Sequence, residues 1–273
     1  MKSSATLKQL ALKTWREATE DNIFGAAAEL SYYFLLALFP LLIFLTSVIG
    51  FLPGAAHSSL VRSLERVVPP DAIKLVRDWL ADVVGHRSGG LLSVGLIGSL
   101  WAASSGVASL MNSLNTAFDA AETRPFWKRR LIAIGLTLAL AMLVAGGSLL
   151  IMFGHLLGSW LGAALNAGPV FAAASSVIGY LVGFVLLMGG IVLIYRFGPD
   201  LNRRKEPVWP GALFASIGIV IGSLLFSLYL RIASVSATYG SLGAVVTLML
   251  WLYLVGLMLL LGGELNSEMR SDD

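Results

Sequence analysis

The chain contains no cysteine and only three histidines. Without cysteine there is no disulfide framework, no thiolate zinc site and no cysteine nucleophile. His57, His86 and His155 are scattered, and no stretch clusters His, Asp or Glu at the short spacings that metal-dependent hydrolysis uses. The Gly-x-x-x-x-Gly-Lys-Ser/Thr loop that cradles nucleotide phosphates is also missing. Charge is scarce. Asp, Glu, Lys and Arg make up 13% of the 273 residues, against roughly 25% in soluble domains. Hydrophobic residues reach 57% and the mean hydropathy is +0.81. Such a composition excludes a cytosolic enzyme, a disordered chain and a nucleic-acid module with a basic face. It fits an integral membrane protein.

Six apolar stretches stand out, at 30–52, 91–110, 131–154, 177–197, 211–230 and 241–263. About 20 residues at 1.5 Å each suffice to cross a ~30 Å hydrocarbon core. Backbone groups in lipid have to be satisfied within the segment, and no period-2 alternation is present, so these are helices rather than barrel strands. The expected fold is all-α: six transmembrane helices with amphipathic surface helices. Glu17, Glu20, Asp21 and Glu29 precede the first stretch, unlike a signal peptide, so it is expected to stay in the mature protein. An even number of spans puts both termini on one side. With that side inside, twelve Lys and Arg lie inside and six outside, Arg196 being at a boundary. The bias favours cytoplasmic termini. Residues 1–29 then form a cytoplasmic interfacial segment, in which Leu7, Leu10, Ala11, Trp15 and Ala18 share a helical face. Residues 30–264 form one transmembrane domain, with 53–90 as an external loop of amphipathic helices, and 265–273 form a short cytoplasmic tail.

Polar groups inside a membrane mark the positions where chemistry or packing is at stake. In the second span, Trp101, Ser104, Ser105, Ala108, Asn112 and Asn115 recur at spacings of three and four, giving one polar stripe. A stripe of this kind either lines a cavity or bonds neighbouring helices. Glu264 closes the sixth span and Arg196 the fourth, at the level of Asn115. These three are expected to line one polar pocket open to the cytoplasm, with Asn112, Ser104 and Ser105 above it. Pro40 interrupts the first span and is a candidate hinge. Arg124, Lys128, Arg129 and Arg130, interleaved with Phe126 and Trp127, are candidate contacts for phosphate headgroups. Gly179 and Gly183, and Gly218 and Gly222, are spaced for close helix packing.

Several segments together resemble the YihY/virulence factor BrkB family of bacterial membrane proteins, also known under the old label ribonuclease BN. They are 26–42, with Glu29, Tyr32, Tyr33, Phe39 and Pro40; Leu100 and Trp101 with Leu114, Asn115 and Phe118; Tyr195 to Pro199; Trp209 to Ala212; Tyr239 to Gly243; and Trp251 and Tyr253 leading to Leu261, Gly262, Gly263, Glu264 and Asn266. They cover roughly residues 15–268 in order. The resemblance implies an inner-membrane protein of about six helices with a role in the envelope, serum resistance or lipid handling. The expected function is transport or accommodation of a lipid or other envelope amphiphile. The alternative is a structural or assembly factor, and a ribonuclease is the least supported reading. The implied partners are membrane lipids and a lipid-like substrate. No cofactor, catalytic residue, metal or nucleic acid is called for.

Overall fold

The computed structural model describes residues 7–50, 89–164, 168–201, 208–232 and 243–271. Among them are seven helices and no strand: α1 (Leu7–Glu20), α2 (Ile23–Gly50), α3 (Gly89–Ala117), α4 (Phe126–Ala164), α5 (Gly168–Phe197), α6 (Trp209–Ile232) and α7 (Gly243–Ser271). From α2 onward the helices pack in chain order into a closed ring, because α7 returns to α2; α7 also touches α3 and α1. Four helices carry stretches long and apolar enough to cross a membrane: Phe126–Gly147, Ala173–Phe197, Trp209–Leu230 and Val245–Met269. Large apolar side chains point outward along them, including Tyr180, Leu181 and Val185 on α5 and Ile221, Leu224 and Leu225 on α6. Tyr180 is 81% exposed, an arrangement that only a lipid solvent tolerates over so long a face.

Several boundaries differ from the sequence expectation. Helix α4 begins at Phe126, directly after Pro125, which the first turn accepts because it has no N–H to lose. It runs to Ala164, ten residues past the expected end. Helix α7 does not stop at residue 264; it continues to Ser271, with Asn266 and Ser267 buried, so most of the expected tail is packed helix. Helix α2 runs on through Pro40. The outer loop expected at 53–90 lies outside the described residues, apart from 89 and 90, which open α3. Helix α1 buries Ala18 and leaves Trp15 59% exposed, edge-on to Phe24 at 5.5 Å. The α1–α2 turn uses Asn22 at φ 52°, a left-handed conformation that Asn tolerates better than most residues. Gly25 follows because a Cβ there would collide with the Asn22 side chain.

Lipid removes the hydrophobic drive between helices, so close packing and hydrogen bonds hold them together. Helices α6 and α7 meet most closely at Gly211 and Gly262, where a Cβ on either would overlap the other's carbonyl oxygen. Further along, Met258 and Leu254 fill the space over Gly218 and Gly222. Gly183 on α5 faces open space instead, so the packing role expected for it does not apply. Asn266 completes the α6–α7 contact. Its Oδ1 accepts from the Gly211 N–H at 2.8 Å, and its Nδ2 donates to the Val208 carbonyl at 3.0 Å. A residue of α7 thus satisfies the Gly211 N–H, which the first turn of α6 leaves unpaired, and adds a second donor to the Val208 carbonyl, which also accepts from the Ala212 N–H. Tyr195 joins α5 to the pair by donating its hydroxyl to the Leu259 carbonyl at 2.6 Å, and it meets Phe118 edge-to-face at 6.0 Å.

Asn266→Ala strands the buried Gly211 N–H, while the Val208 carbonyl keeps the Ala212 N–H, and is expected to cost about 1–3 kcal/mol. Gly262→Val forces the two backbones apart and is expected to cost more. Thermal unfolding of the detergent-solubilised protein measures both, and a Gly262→Val protein as stable as Asn266→Ala would contradict the close approach.

Candidate functional site

The end of α3, the start of α4, the end of α5, the start of α6 and the end of α7 carry polar contacts with one another at one end of the ring. There α3 closes through its last residues in a way that fixes the site. The Ala120 N–H donates to the Asn115 carbonyl and the Asp119 N–H to the Thr116 carbonyl. Asp119 itself is left-handed at φ 50°. This is a Schellman closure with aspartate at the position where glycine is usual. It turns the chain so that residues 119–122 fold back along α3.

The return run meets the end of α5 in a network of paired charges. Asn115 donates from Nδ2 to Glu122 Oε2 at 2.9 Å, and its Oδ1 accepts from the Asp200 N–H at 2.8 Å. Arg124 donates from Nε to Glu122 Oε1 at 2.6 Å and from Nη2 to Oε2 at 2.7 Å, a bidentate pair. Its Nη2 also donates to the Gly198 carbonyl at 2.8 Å, beside the C-terminus of α5, where a cation is favoured. Asp200 Oδ2 accepts from the Thr123 N–H at 2.9 Å and from its hydroxyl at 2.6 Å. The Arg124 guanidinium holds the Glu122 carboxyl below the usual carboxylate range, burial opposes it, and the Asn115 hydrogen bond reinforces it. Burial pushes Asp200 upward, but the two Thr123 bonds and the charges of Arg124 and Lys128 outweigh it and hold this carboxyl low as well.

Beside this network lies an open cleft of about 530 Å³, lined by Asp21, Asn112, Asn115, Thr116, Asp119, Ala120, Ala121 and Glu122. Its size is within the range of small-ligand sites. Here the electrostatics reverse. Burial raises the Asp21 carboxyl above the usual range, the charges of Asp119, Glu17 and Glu20 push the same way, and a hydrogen bond with Glu264 opposes them. Glu264 rises from α7 beneath Asp21 and is only 3% exposed.

The cleft brings together Asn112 and Asn115 from the polar stripe. Glu264 reaches it through Asp21. Arg196 lies half-buried in the last turn of α5 and is not among the lining residues. Ser104 and Ser105 sit higher on α3, where each hydroxyl donates to the Trp101 carbonyl, at 2.8 and 3.4 Å. Arg130 of α4 donates from Nη2 to the same carbonyl and to Ser105 Oγ, and lies 4.1 Å from the centre of the Trp101 ring. The basic run expected at the headgroups therefore divides. Lys128 is exposed and Arg129 donates to Asn112 Oδ1 at 3.2 Å. Arg124, with 8% of its side chain exposed, and Arg130 turn into the protein, because each finds buried acceptors there. Sequence reasoning passed over Asp21, Asp119, Glu122, Asp200 and Thr123. All five lie in turns and connections, where a polar residue looks like ordinary loop composition. Among the described residues no group of three or more His, Cys, Asp or Glu side chains is placed to hold a metal ion.

A chain whose described elements are all helices, with long apolar outer faces, is an integral membrane protein. It belongs to the virulence factor BrkB family, which matches residues 14–273. It is 38% identical over 242 residues to the ribonuclease-like protein YfkH of Bacillus subtilis, covering 88% of each chain. It is 26% identical over 259 residues to a UPF0761 membrane protein of Tolumonas auensis, covering 93% of this chain and 83% of that one. A UPF0761 membrane protein of Xanthomonas campestris is 30% identical over 272 residues, and there the match spans 60% of the relative's length. No solved structure matches.

The opposed shifts predict opposed pH effects. Glu122 and Asp200, depressed in the folded protein, contribute stability that is present at neutral pH and is lost as pH falls from about 4 through their folded values. Arg124→Gln should therefore lower stability at pH 7, with the gap to the parent narrowing as pH drops below about 4. Asp21 is raised, so it favours folding only at low pH and costs stability once deprotonated. Asp21→Asn should stabilise at pH 7, and the gain should vanish towards pH 4 or so. Unfolding midpoints measured across pH test both signs.

Proposed function

We propose that this chain is a six-span protein of the bacterial inner membrane, with both termini in the cytoplasm, that accommodates or moves a lipid or another envelope amphiphile. In this reading α2 and α3, 28 and 29 residues long, join the four long apolar helices as spans. Residues 1–29 lie on the cytoplasmic surface and 53–90 form the outer loop. The excess of Lys and Arg in the segments at the charged end supports the orientation. The observation that carries the functional reading is the cleft: an open polar cavity at the membrane-surface end of a ring whose outer faces are apolar. A headgroup would meet Asn112, Asn115 and Thr116 while its tails stay against the helices. Exposed Phe126, Trp127 and Lys128 nearby suit the interfacial level.

One observation favours a second reading, a structural or assembly factor. Ser105, the Trp101 carbonyl and Arg130 meet across the α3–α4 contact, and the Ser104 hydroxyl is spent within α3, so the upper part of the stripe supports helix packing. A nuclease would need clustered metal ligands, and the ribonuclease-like wording belongs to the Bacillus subtilis relative.

Two measurements test the proposal. Because the chain has no native cysteine, Ser59→Cys should react with an impermeant maleimide on intact spheroplasts, and Arg203→Cys only after lysis. The opposite pattern reverses the orientation. Protein extracted in mild detergent should retain a lipid detectable by native mass spectrometry. Asn112→Trp, which fills the cleft from an exposed position, should lower that retention with stability changed by no more than about 0.5 kcal/mol. Undiminished retention would favour the assembly reading.

A further inference from the structure

Three carboxyl groups stand together at the inner side of the cleft without a cation. Asp21 comes from the α1–α2 turn, Asp119 from the end of α3 and Glu264 from α7. Asp21 and Asp119 line the cavity, and the Glu264 carboxyl interacts electrostatically with Asp21, Asp119 and Glu17. The ion pairs of this end go elsewhere: Arg124 to Glu122 and Asp200, Arg16 to Glu17 and Glu20, and Lys13 to Glu268. Among the described residues, none of the three carboxyls has a lysine or arginine partner.

An independent observation lies underneath. Glu264 is 97% buried by its 3% exposure, and its Oε1 is fully enclosed with no hydrogen-bond partner among the described residues. A buried acceptor left open costs roughly 1–3 kcal/mol, and this one belongs to the carboxyl that interacts with both aspartates of the cleft wall. The missing counterpart is a positively charged hydrogen-bond donor. The carboxyls are not grouped to hold a metal ion. An ammonium on a flexible stem has looser demands, since it donates three separate hydrogen bonds to oxygens on different elements. The amide oxygen side of the cleft is partly taken, because Arg129 occupies Asn112 Oδ1 and the Asp200 N–H occupies Asn115 Oδ1. The carboxyl side is therefore where a cationic donor would sit.

We propose that the cleft binds a primary ammonium group, held by Asp21 and Asp119 at its wall with the Glu264 carboxyl behind them. The ammonium can come from an amine-bearing lipid headgroup or from a soluble amine. Only the first source rests on the amphiphile reading above.

The test uses the full chain in detergent micelles and in nanodiscs. Ethanolamine, tetramethylammonium and magnesium chloride are titrated separately by calorimetry. Nanodiscs of phosphatidylcholine with added phosphatidylethanolamine or phosphatidylglycerol supply the lipid arm, read by the unfolding midpoint. Ethanolamine should bind, with tetramethylammonium, which lacks N–H donors, much weaker. Asp119→Asn should weaken ethanolamine by about tenfold, the scale of one charge-assisted contact. Asp119 is exposed, so this variant is informative even if Glu264→Gln fails to fold. Binding of soluble ethanolamine supports the site irrespective of lipid retention. A midpoint rise with phosphatidylethanolamine alone, lost in Asp119→Asn, supports it with a lipid source. Equal binding of tetramethylammonium, magnesium in preference to ethanolamine, or no response to either amine source overturns the proposal. A retained lipid that carries no amine, together with no ethanolamine binding, overturns the ammonium site while leaving the amphiphile reading intact.

Discussion

Unpaired backbone groups at helix ends govern how the helices meet at the charged end of the ring. Each helix leaves four N–H or four carbonyl groups without an internal partner at each terminus, and at a membrane surface crowded by neighbours water cannot reach all of them. Here side chains from other elements take them up. Asn266 of α7 serves the start of α6, Arg124 serves the carbonyls at the end of α5, and Asn115 of α3 serves the N–H of Asp200. Each such bond crosses between two elements, so satisfying the ends and assembling the ring are one event. The glycines at 211 and 262 make it feasible, because Asn266 reaches across only when the α6 and α7 backbones are nearly in contact.

Two groups of carboxyls a few residues apart have opposite environments as a result. Glu122 and Asp200 face a guanidinium, a hydroxyl and backbone N–H groups, and are held low. Asp21 faces other acids and a partly buried wall, and is raised. The first group is a brace that links the α3–α4 connection to the end of α5. The second is a site at which the protein forgoes stability. The cleft lies on that side.

The resemblance segments acquire a physical meaning from this geometry. Leu114, Phe118, Tyr195, Ala212 and Leu260 are buried in one cluster, and Asn115, Asn266 and Gly262 bound it. Segments that look unrelated along the chain are the parts of one joint. The polar stripe on α3 was legible as a stripe, but not its division. Ser105 meets a buried arginine of α4 and Ser104 bonds back to its own helix, whereas Asn112 and Asn115, two turns on, face the cleft. A period of three to four fixes which residues share a face and says nothing about what that face meets.

Composition and run length alone determined that this is a membrane protein whose long apolar segments are helices, because lipid leaves such a segment no other way to satisfy its backbone. They also located Glu264 and the two asparagines, since polar residues beside apolar runs are few. The partners were decided only in three dimensions. Arg124 sits in a basic run that reads as a headgroup contact, yet its charge is spent on Glu122, two residues away, and on an α5 terminus 74 residues further along. Asp21 and Asp119 are unremarkable turn residues until α7 brings Glu264 beneath them. Helix identity follows from local chemistry repeated along the chain; the pairing of charges depends on which helix ends the ring closes together, and that closure is set by contacts distant in sequence.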